Sequence, residues 1–315
     1  MTRRLVTVSF YLAITVFLVW FIQRLNFAIL QPQRPGWVAL SAATICGLMF
    51  RYSGVAAWLL ILRGLGAARP INLAELVYVY AKSWLGRYLP GKVTWILGKI
   101  YFASELGLDR AKLAVASFYE AALQVAVVLF LSLVLLAIDP RLNVLAPGSR
   151  VILLGVSVLL LIAIWPGVFN RSAEWIYRRM QRGGAAVLAA RLDPTTLLSA
   201  GSVNALGFVL SGAGYFFLAK AIYPNLGMQH IIFVAGAFNL AGAIGILSVF
   251  APSGIGVREA IQLILLPVVM PAEMALVVTV AARFWSLAVD GVFFAISWLA
   301  RLAGKRASGI RSPGP

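Results

Sequence analysis

Charged residues that interrupt apolar segments are the features of this sequence that could do chemistry. Arg258 and Glu259 stand side by side at the start of an apolar segment, directly after the stretch APSGIG at 251–256. A glycine-rich break that leads into a helix presents unpaired backbone N–H groups, which bind anions. An adjacent arginine can bind a phosphate group through two parallel hydrogen bonds. The pattern predicts an anion site at Arg258, with Glu259 orienting this arginine or pairing with another cation.

A second break of the same kind lies in the first half of the chain. Arg87 and Lys92 flank Pro90-Gly91 within the stretch LGRYLPGKVTWILG at 85–98. A Lys or Arg near the end of a membrane helix commonly extends its charged group to the membrane interface. These cations could have that role alone, without binding a ligand. The presence of such a break in both halves favours anion binding, to which we predict that Arg87 and Lys92 contribute.

Two further charges lie deep inside apolar segments. When the two breaks are aligned, Glu120 falls opposite Arg283. At 1.5 Å per residue, Glu120 lies roughly 14 Å and Arg283 about 17 Å from the end of its segment, near the middle of a hydrocarbon core about 30 Å thick. Two interpretations stay open. One is a substrate or coupling-ion site, in which Arg283 binds a phosphate group and Glu120 accepts a proton or binds a cationic headgroup. The other is a buried ion pair that fixes the packing of the two halves.

The composition is typical of a membrane protein. Hydrophobic residues make up 62% of the 315 residues and charged residues 12%, whereas soluble domains are about half apolar and about a quarter charged. In a soluble protein the formal net charge of +17 would suggest a nucleic-acid partner. Here the basic residues stand mostly at predicted membrane boundaries, so we expect anionic lipid headgroups, and no nucleic acid, as partners.

Metal and cofactor chemistry has no supporting motif in this sequence. The single cysteine, Cys46, and the single histidine, His230, cannot form a disulfide framework or a metal site. No Walker A motif occurs, and the glycines of the second break lack the preceding strand and third glycine of a dinucleotide-binding motif. We expect no metal, no cofactor and no enzyme activity. Asp290 lies in the last apolar segment. Both Asp290 and Glu120 are candidates for proton or ion coupling.

The hydropathy pattern predicts an all-α polytopic membrane protein with about six spanning helices. These helices are expected at 5–23, 37–62, 110–138, 150–169, 194–222 and 271–302. The segments 72–105 and 230–269 predict two re-entrant or broken helical hairpins. The polar stretch 170–191 predicts an amphipathic helix on an anionic leaflet, or alternatively a solvated linker helix. Residues 1–303 form a single predicted membrane domain, followed by a disordered basic tail at 304–315.

The order of these elements predicts an inverted repeat. Repeat one is 37–138 and repeat two is 194–302, and the extra span 150–169 between them reverses the second relative to the first. Inverted repeats with broken helices in matching positions point to a transport site near the membrane midplane. The Lys and Arg bias of the short loops predicts that both termini are cytoplasmic.

The two broken motifs resemble those of the lysylphosphatidylglycerol synthase transmembrane-domain family. The resemblance rests on RYLPGKVTWILGK (87–99), Glu120, APSGIGVREA (251–260) and Arg283, and it extends over roughly residues 51–299. That family includes the flippase-like part of bacterial multiple-peptide-resistance proteins, in which a cytosolic aminoacyl-transferase domain makes the lipid and the membrane part moves it between leaflets. The resemblance implies lipid binding or translocation in a bacterial inner membrane, by a standalone member without the synthase domain.

We therefore predict a flippase-like lipid transport protein that binds an anionic phospholipid or lipid-linked substrate. The predicted headgroup residues are Arg87, Lys92, Arg258, Glu259 and Arg283. Two alternatives remain. A membrane-embedded transferase with a lipid-linked donor would need an acidic or metal-binding pair on a sizeable loop. A non-transporting partner or regulatory subunit, or a homo-oligomer, is compatible with every feature described above.

Overall fold

The structure, a computed structural model, describes residues 36–67, 72–88, 94–141, 149–180, 192–248, 254 and 256–307. Within these residues the chain is helical, with no strand, which confirms the predicted all-α membrane fold. The helices are α1 (Trp37–Gly64), α2 (Leu73–Trp84), α3 (Thr94–Ser104), α4 (Arg110–Ile138), α5 (Ser149–Ile164), α6 (Pro166–Met180), α7 (Pro194–Ile222), α8 (Ile231–Leu247), α9 (Val257–Leu265) and α10 (Ala272–Ala307). Short 3₁₀ turns lie at Leu85–Tyr88, Met228–His230 and Leu266–Val268.

Five of the described helical segments are long and apolar enough to cross a membrane: Trp37–Gly64, Arg110–Ile138, Pro194–Ile222, Met228–Leu247 and Ala272–Lys305. The fourth of these is the first arm of the second predicted hairpin, and its 20 residues make it long enough for a full span. The arms of the first hairpin, α2 and α3, have only 12 and 11 residues. The predicted first span at 5–23 lies outside the described residues.

The predicted span 150–169 is broken in the structure. Helix α5 ends at Ile164, and the next helix begins at Pro166 with a bend of 77° between the two segments. Proline has no backbone N–H and disfavours helical geometry in the residue before it, which explains the position of the break. The polar helix therefore begins at Pro166 instead of Asn170, and it is described as far as Met180.

The described residues divide into two compact units, each built around one hairpin. The first hairpin unit contains α2 and α3 and draws on residues 51–126, 162–207 and 287–307; the second contains α8 and α9 and draws on 36–50, 127–161 and 208–286. Each unit takes residues from both halves of the sequence. The helix–hairpin–helix order in each half is consistent with the inverted repeat, which stays a prediction. Helix α10 continues through Gly304 to Ala307, and 308–315 lies outside the described residues.

Close backbone contacts at glycines hold the first hairpin together. Helices α2 and α3 pack against each other. A Cβ atom on Gly98 would lie 3.3 Å from the Cα atom of Ser83, and one on Gly86 would lie 3.2 Å from the carbonyl carbon of Thr94. Small residues allow membrane helices to approach this closely. The two short arms therefore form one packed element.

The second hairpin depends on glycine in a different way. Gly254 and Gly256 have φ angles of +66° and +85°, in the left-handed region that glycine adopts without a steric penalty. A Cβ atom on Gly254 would lie 2.7 Å from the Cα atom of Gly245, near the end of α8. The backbone can therefore pass this close to α8 and turn into α9 only because Gly254 and Gly256 lack a side chain.

A substitution at this turn tests its geometry. We expect Gly254→Ala to lower the free energy of unfolding by about 1–2 kcal/mol or more, since a left-handed non-glycine residue is strained and its Cβ atom meets backbone. Gly242→Ala, in α8, is the matched control, because a Cβ atom there has open space around it. The control is expected to be neutral or stabilising. Thermal unfolding followed by circular dichroism measures both, and equal melting temperatures for the two variants would contradict this account.

Candidate functional site

In the second hairpin unit, Glu259 connects the start of α9 to α10. One of its carboxylate oxygens accepts a hydrogen bond from the backbone N–H of Gly256 at 2.7 Å, and the other is ion-paired with Nε of Arg283. Arg283 also donates to the carbonyl oxygen of Gly254 at 3.4 Å. The carboxylate satisfies one of the unpaired N–H groups at the helix start, and Arg283 fastens the glycine turn to α10.

Arg258, the neighbour of Glu259, has a different kind of partner. Its guanidinium donates to the hydroxyl of Tyr215 and lies 5.1 Å from the centre of the Tyr215 ring. That ring is stacked on Phe238 at 4.7 Å and meets Trp285 edge-on at 5.2 Å. Within the described part of the chain, no carboxylate is ion-paired with Arg258. Its charge is held by neutral groups at the N-terminal end of α9.

The charges of this cluster do not cancel. Arg258 and Arg283 are two cations, and Glu259 is one anion that is already paired with Arg283. The helix start adds partial positive charge from its N–H groups. All three side chains are partly accessible. The cluster has a surplus positive charge on partly accessible side chains and can therefore bind an anion.

In the first hairpin unit, Asp290 of α10 is the centre of a second cluster. The carboxylate is fully buried. Nε of Arg51 donates to one oxygen at 2.7 Å, and Nε1 of Trp84 donates to the same oxygen at 3.1 Å. The other oxygen accepts from the hydroxyl of Tyr88 and is ion-paired with Arg87 at 2.7 Å. This cluster, like that of the second hairpin unit, contains two arginines and one carboxylate, but here both arginines are paired with the carboxylate.

A third ion pair lies between Lys99 of α3 and Glu120 of α4, also in the first hairpin unit. Both side chains are buried, with exposures of 1% and 0%. The hydroxyl of Tyr80 donates to Glu120 at 2.9 Å, and the ammonium of Lys99 lies 4.4 Å from the ring centre of Trp95 and 5.0 Å from that of Tyr80. A lysine and a glutamate enclosed by aromatic rings neutralise each other, so this pair is suited to holding the hairpin in place.

The structure brings several predicted residues together and assigns them unpredicted partners. Arg258, Glu259 and Arg283 form one cluster, and Arg87 lies with Asp290 in another. The partner of Glu120 is Lys99, and that of Arg283 is Glu259. Lys92 lies outside the described residues.

The sequence did not predict several of these partners, and it marks some of them more clearly than others. Lys99 stands alone among apolar residues, so a search for the cation of Glu120 could have found it. Arg51 interrupts an apolar helix in the same way. Tyr215 and Tyr88 are uncharged aromatic residues among many, and their contacts span 43 and 202 residues of the chain. Sequence spacing carries no signal for contacts of this kind.

Residues 8–293 match the family described as Lysylphosphatidylglycerol synthase TM region. The matched range contains all three clusters, from Arg51 to Asp290. It confirms the resemblance that the two broken motifs indicate. No curated protein and no solved structure matches the chain. Among the described residues, no group of three His, Cys, Asp or Glu side chains could hold a metal ion.

The Lys99–Glu120 pair can be tested by removing one charge and then both. Lys99→Met leaves the buried Glu120 without its cation, so we expect the free energy of unfolding to fall by about 3–5 kcal/mol. The double variant Lys99→Met/Glu120→Gln removes the uncompensated charge and is expected to recover much of this loss. Chemical unfolding of the purified protein in detergent measures both changes.

Lys82→Met is the control for this experiment. Lys82 belongs to the same hairpin, is exposed and lies over the ring of Phe102. Its removal is expected to lower the free energy of unfolding much less than Lys99→Met does, because the interactions of an exposed charge contribute little to stability. Similar losses in the two single variants would contradict a special role of the buried pair.

Proposed function

The chain belongs to the lysylphosphatidylglycerol synthase TM-region family, and from this membership and the arginine clusters we propose that it binds an anionic lipid headgroup and assists its passage between leaflets. The protein is a multi-pass membrane protein. The headgroup site of this proposal consists of Arg258, Glu259 and Arg283 in the second hairpin unit. Arg87 and Lys92, in the first hairpin, stay predicted headgroup residues of their own unit. We propose a bacterial inner membrane as its location, with both termini in the cytoplasm.

The observation that carries the proposal is the partner of Arg258. Its guanidinium is held by the neutral ring and hydroxyl of Tyr215, beside an ion pair that has already used the carboxylate of Glu259. An arginine in this position keeps hydrogen-bond donors suited to a phosphate group, since its planar fork can bind two oxygens at once. A helix start presents backbone N–H groups, and those of α9 support binding of the same group.

Crossing the hydrocarbon core is the physical difficulty that such a site would relieve. A charged headgroup in a medium of low dielectric constant is strongly disfavoured unless an opposite charge and hydrogen bonds compensate it. The acyl chains have no such need and can stay in lipid. A partly accessible arginine cluster beside an interrupted helix supplies the compensation while the rest of the lipid remains outside the protein.

Glu120 and Asp290 remain candidates for proton coupling within this proposal. Each carboxylate holds at least one cation in the first hairpin unit. Protonation of either carboxylate would remove the anion from its cluster and leave a cation without its partner. Such a change would weaken the contacts that keep the first hairpin in place. A hairpin that can be held or released is the kind of two-state element that coupling needs.

Arg258→Gln tests the headgroup site. It removes the cation that has neutral partners and leaves the Glu259–Arg283 pair intact, whereas Arg283→Ala would also break that pair. We expect phosphatidylglycerol binding to weaken about tenfold, because one charge-assisted contact contributes at least ~1.4 kcal/mol. Native mass spectrometry of the purified protein, titrated with phosphatidylglycerol and separately with phosphatidylcholine, measures the loss and its dependence on headgroup charge.

Arg141→Gln is the matched control. It removes an equal charge from the second hairpin unit, at a side chain 28% exposed that is bound to Asp139 and to the carbonyl oxygen of Gln229. Lipid binding is expected to stay at the wild-type level in this variant. Wild-type binding in Arg258→Gln would remove the site, and unchanged leaflet exchange of a fluorescent phosphatidylglycerol in vesicles carrying that variant would remove its role in transport.

A further inference from the structure

We infer that the Asp290 cluster is a second phosphate site whose resident anion is the protein's own carboxylate. In this arrangement the phosphodiester of an incoming lipid takes the place of Asp290 on Arg87, while Arg51 stays with Asp290. The inference rests on the proposed function, because it takes the ligand to be the same anionic lipid.

The donors around Asp290 are those that bind phosphate groups in proteins. Four side chains converge on one carboxylate, two on each oxygen: Arg51 and Trp84 on one, Arg87 and Tyr88 on the other. Guanidinium groups bind phosphate and carboxylate oxygens through the same planar geometry. A carboxylate held in this way occupies a site that a phosphate group would also satisfy.

The two arginines differ in their accessibility. The side chain of Arg51 is 4% exposed and Asp290 is 0% exposed, whereas Arg87 is 27% exposed. Arg51 and Asp290 therefore form the inner part of the cluster, and Arg87 forms its outer part. A ligand that approaches from outside meets Arg87 first, and it can bind there without separating the inner pair.

Aromatic contacts keep Arg87 in position when its anion changes. The guanidinium carbon lies 4.8 Å from the ring centre of Trp84 and 5.0 Å from that of Tyr88. It also donates to the Tyr88 hydroxyl at 3.0 Å. Stacking and cation–π attraction do not depend on Asp290. Arg87 is thus preorganised for a second anion, with the Tyr88 hydroxyl beside it as a further donor.

Among the described side chains of this cluster, the cations outnumber the anion by one. Two arginines and one carboxylate leave one positive charge, which a phosphodiester with one negative charge neutralises. Asp290 competes with that phosphodiester for Arg87 and so limits the affinity of the site. A transport pathway needs sites that are attractive enough to fill and weak enough to empty. The internal carboxylate supplies this weakening.

The test removes the competing anion and looks for tighter binding. Phosphatidylglycerol binding is measured by native mass spectrometry in the Arg258→Gln background, so that the remaining binding reports on the first hairpin unit. Arg51→Gln/Asp290→Asn is added because it removes the inner pair together and leaves no uncompensated buried arginine. We expect binding to tighten about tenfold, which corresponds to ~1.4 kcal/mol. Further addition of Arg87→Gln is expected to abolish this gain.

Unchanged or weaker binding in the folded Arg51→Gln/Asp290→Asn protein would overturn the inference. If the cluster served only to hold the hairpin in place, removing Arg51 and Asp290 would loosen the hairpin and would not tighten lipid binding. The control Arg110→Gln removes an exposed arginine of the same unit and is expected to leave the residual binding unchanged. Inorganic phosphate is titrated in parallel, and binding of it as tight as that of phosphatidylglycerol would overturn the assignment to a lipid.

The two proposals fail in distinguishable ways. If Arg258→Gln alone binds phosphatidylglycerol like the wild type, the headgroup site of the second hairpin unit is wrong. If Arg258→Gln weakens binding but the removal of Asp290 tightens nothing, only the second phosphate site is wrong.

Discussion

A carboxylate inside an apolar helix must have a cation beside it, and this constraint shapes the structure of this protein. Transfer of an isolated charge into hydrocarbon is so unfavourable that such groups are paired, solvated or neutral. The three carboxylates Glu120, Glu259 and Asp290 each meet this requirement through an ion pair with another helix or turn. In every case a residue of one of the two hairpins takes part. The hairpins are therefore bound to long helices by charge as well as by packing.

The first hairpin shows why this binding is needed. Its arms of 12 and 11 residues are too short to cross a membrane and cannot satisfy their own ends in lipid. Lys99 connects α3 to Glu120, and Arg87 connects the turn after α2 to Asp290. Both links end on long apolar helices. Close contact at Gly98 then holds the two arms against each other. Electrostatic pairing determines where the hairpin lies, and small residues determine how compact it is.

The clusters around these pairs have a surplus of positive charge, and this surplus connects the structure to the proposed function. In each hairpin unit a cluster contains two arginines and one carboxylate, and at least one arginine of each cluster is partly accessible. The surplus is small beside the net charge of +17, and it lies at interrupted helices. Aromatic rings hold one accessible arginine of each cluster: Tyr215 contacts Arg258, and Trp84 and Tyr88 contact Arg87. Preorganised cations of this kind are what a headgroup with one negative charge requires.

The amino-acid sequence by itself determined the class of this protein, most of its helix boundaries, the two interrupted hairpins and the family. Hydropathy and glycine–proline breaks are local properties, so they can be read without knowing which helices touch. The prediction was wrong at the end of the span 150–169, where Pro166 redirects the chain. The partners of the charges were decided only by the tertiary structure. Asp290 meets Arg51 across 239 residues, and Glu259 meets Arg283 across 24. Alignment of the halves placed Glu120 opposite Arg283, but electrostatics acts on distance in space, and packing brought each of them to a different partner.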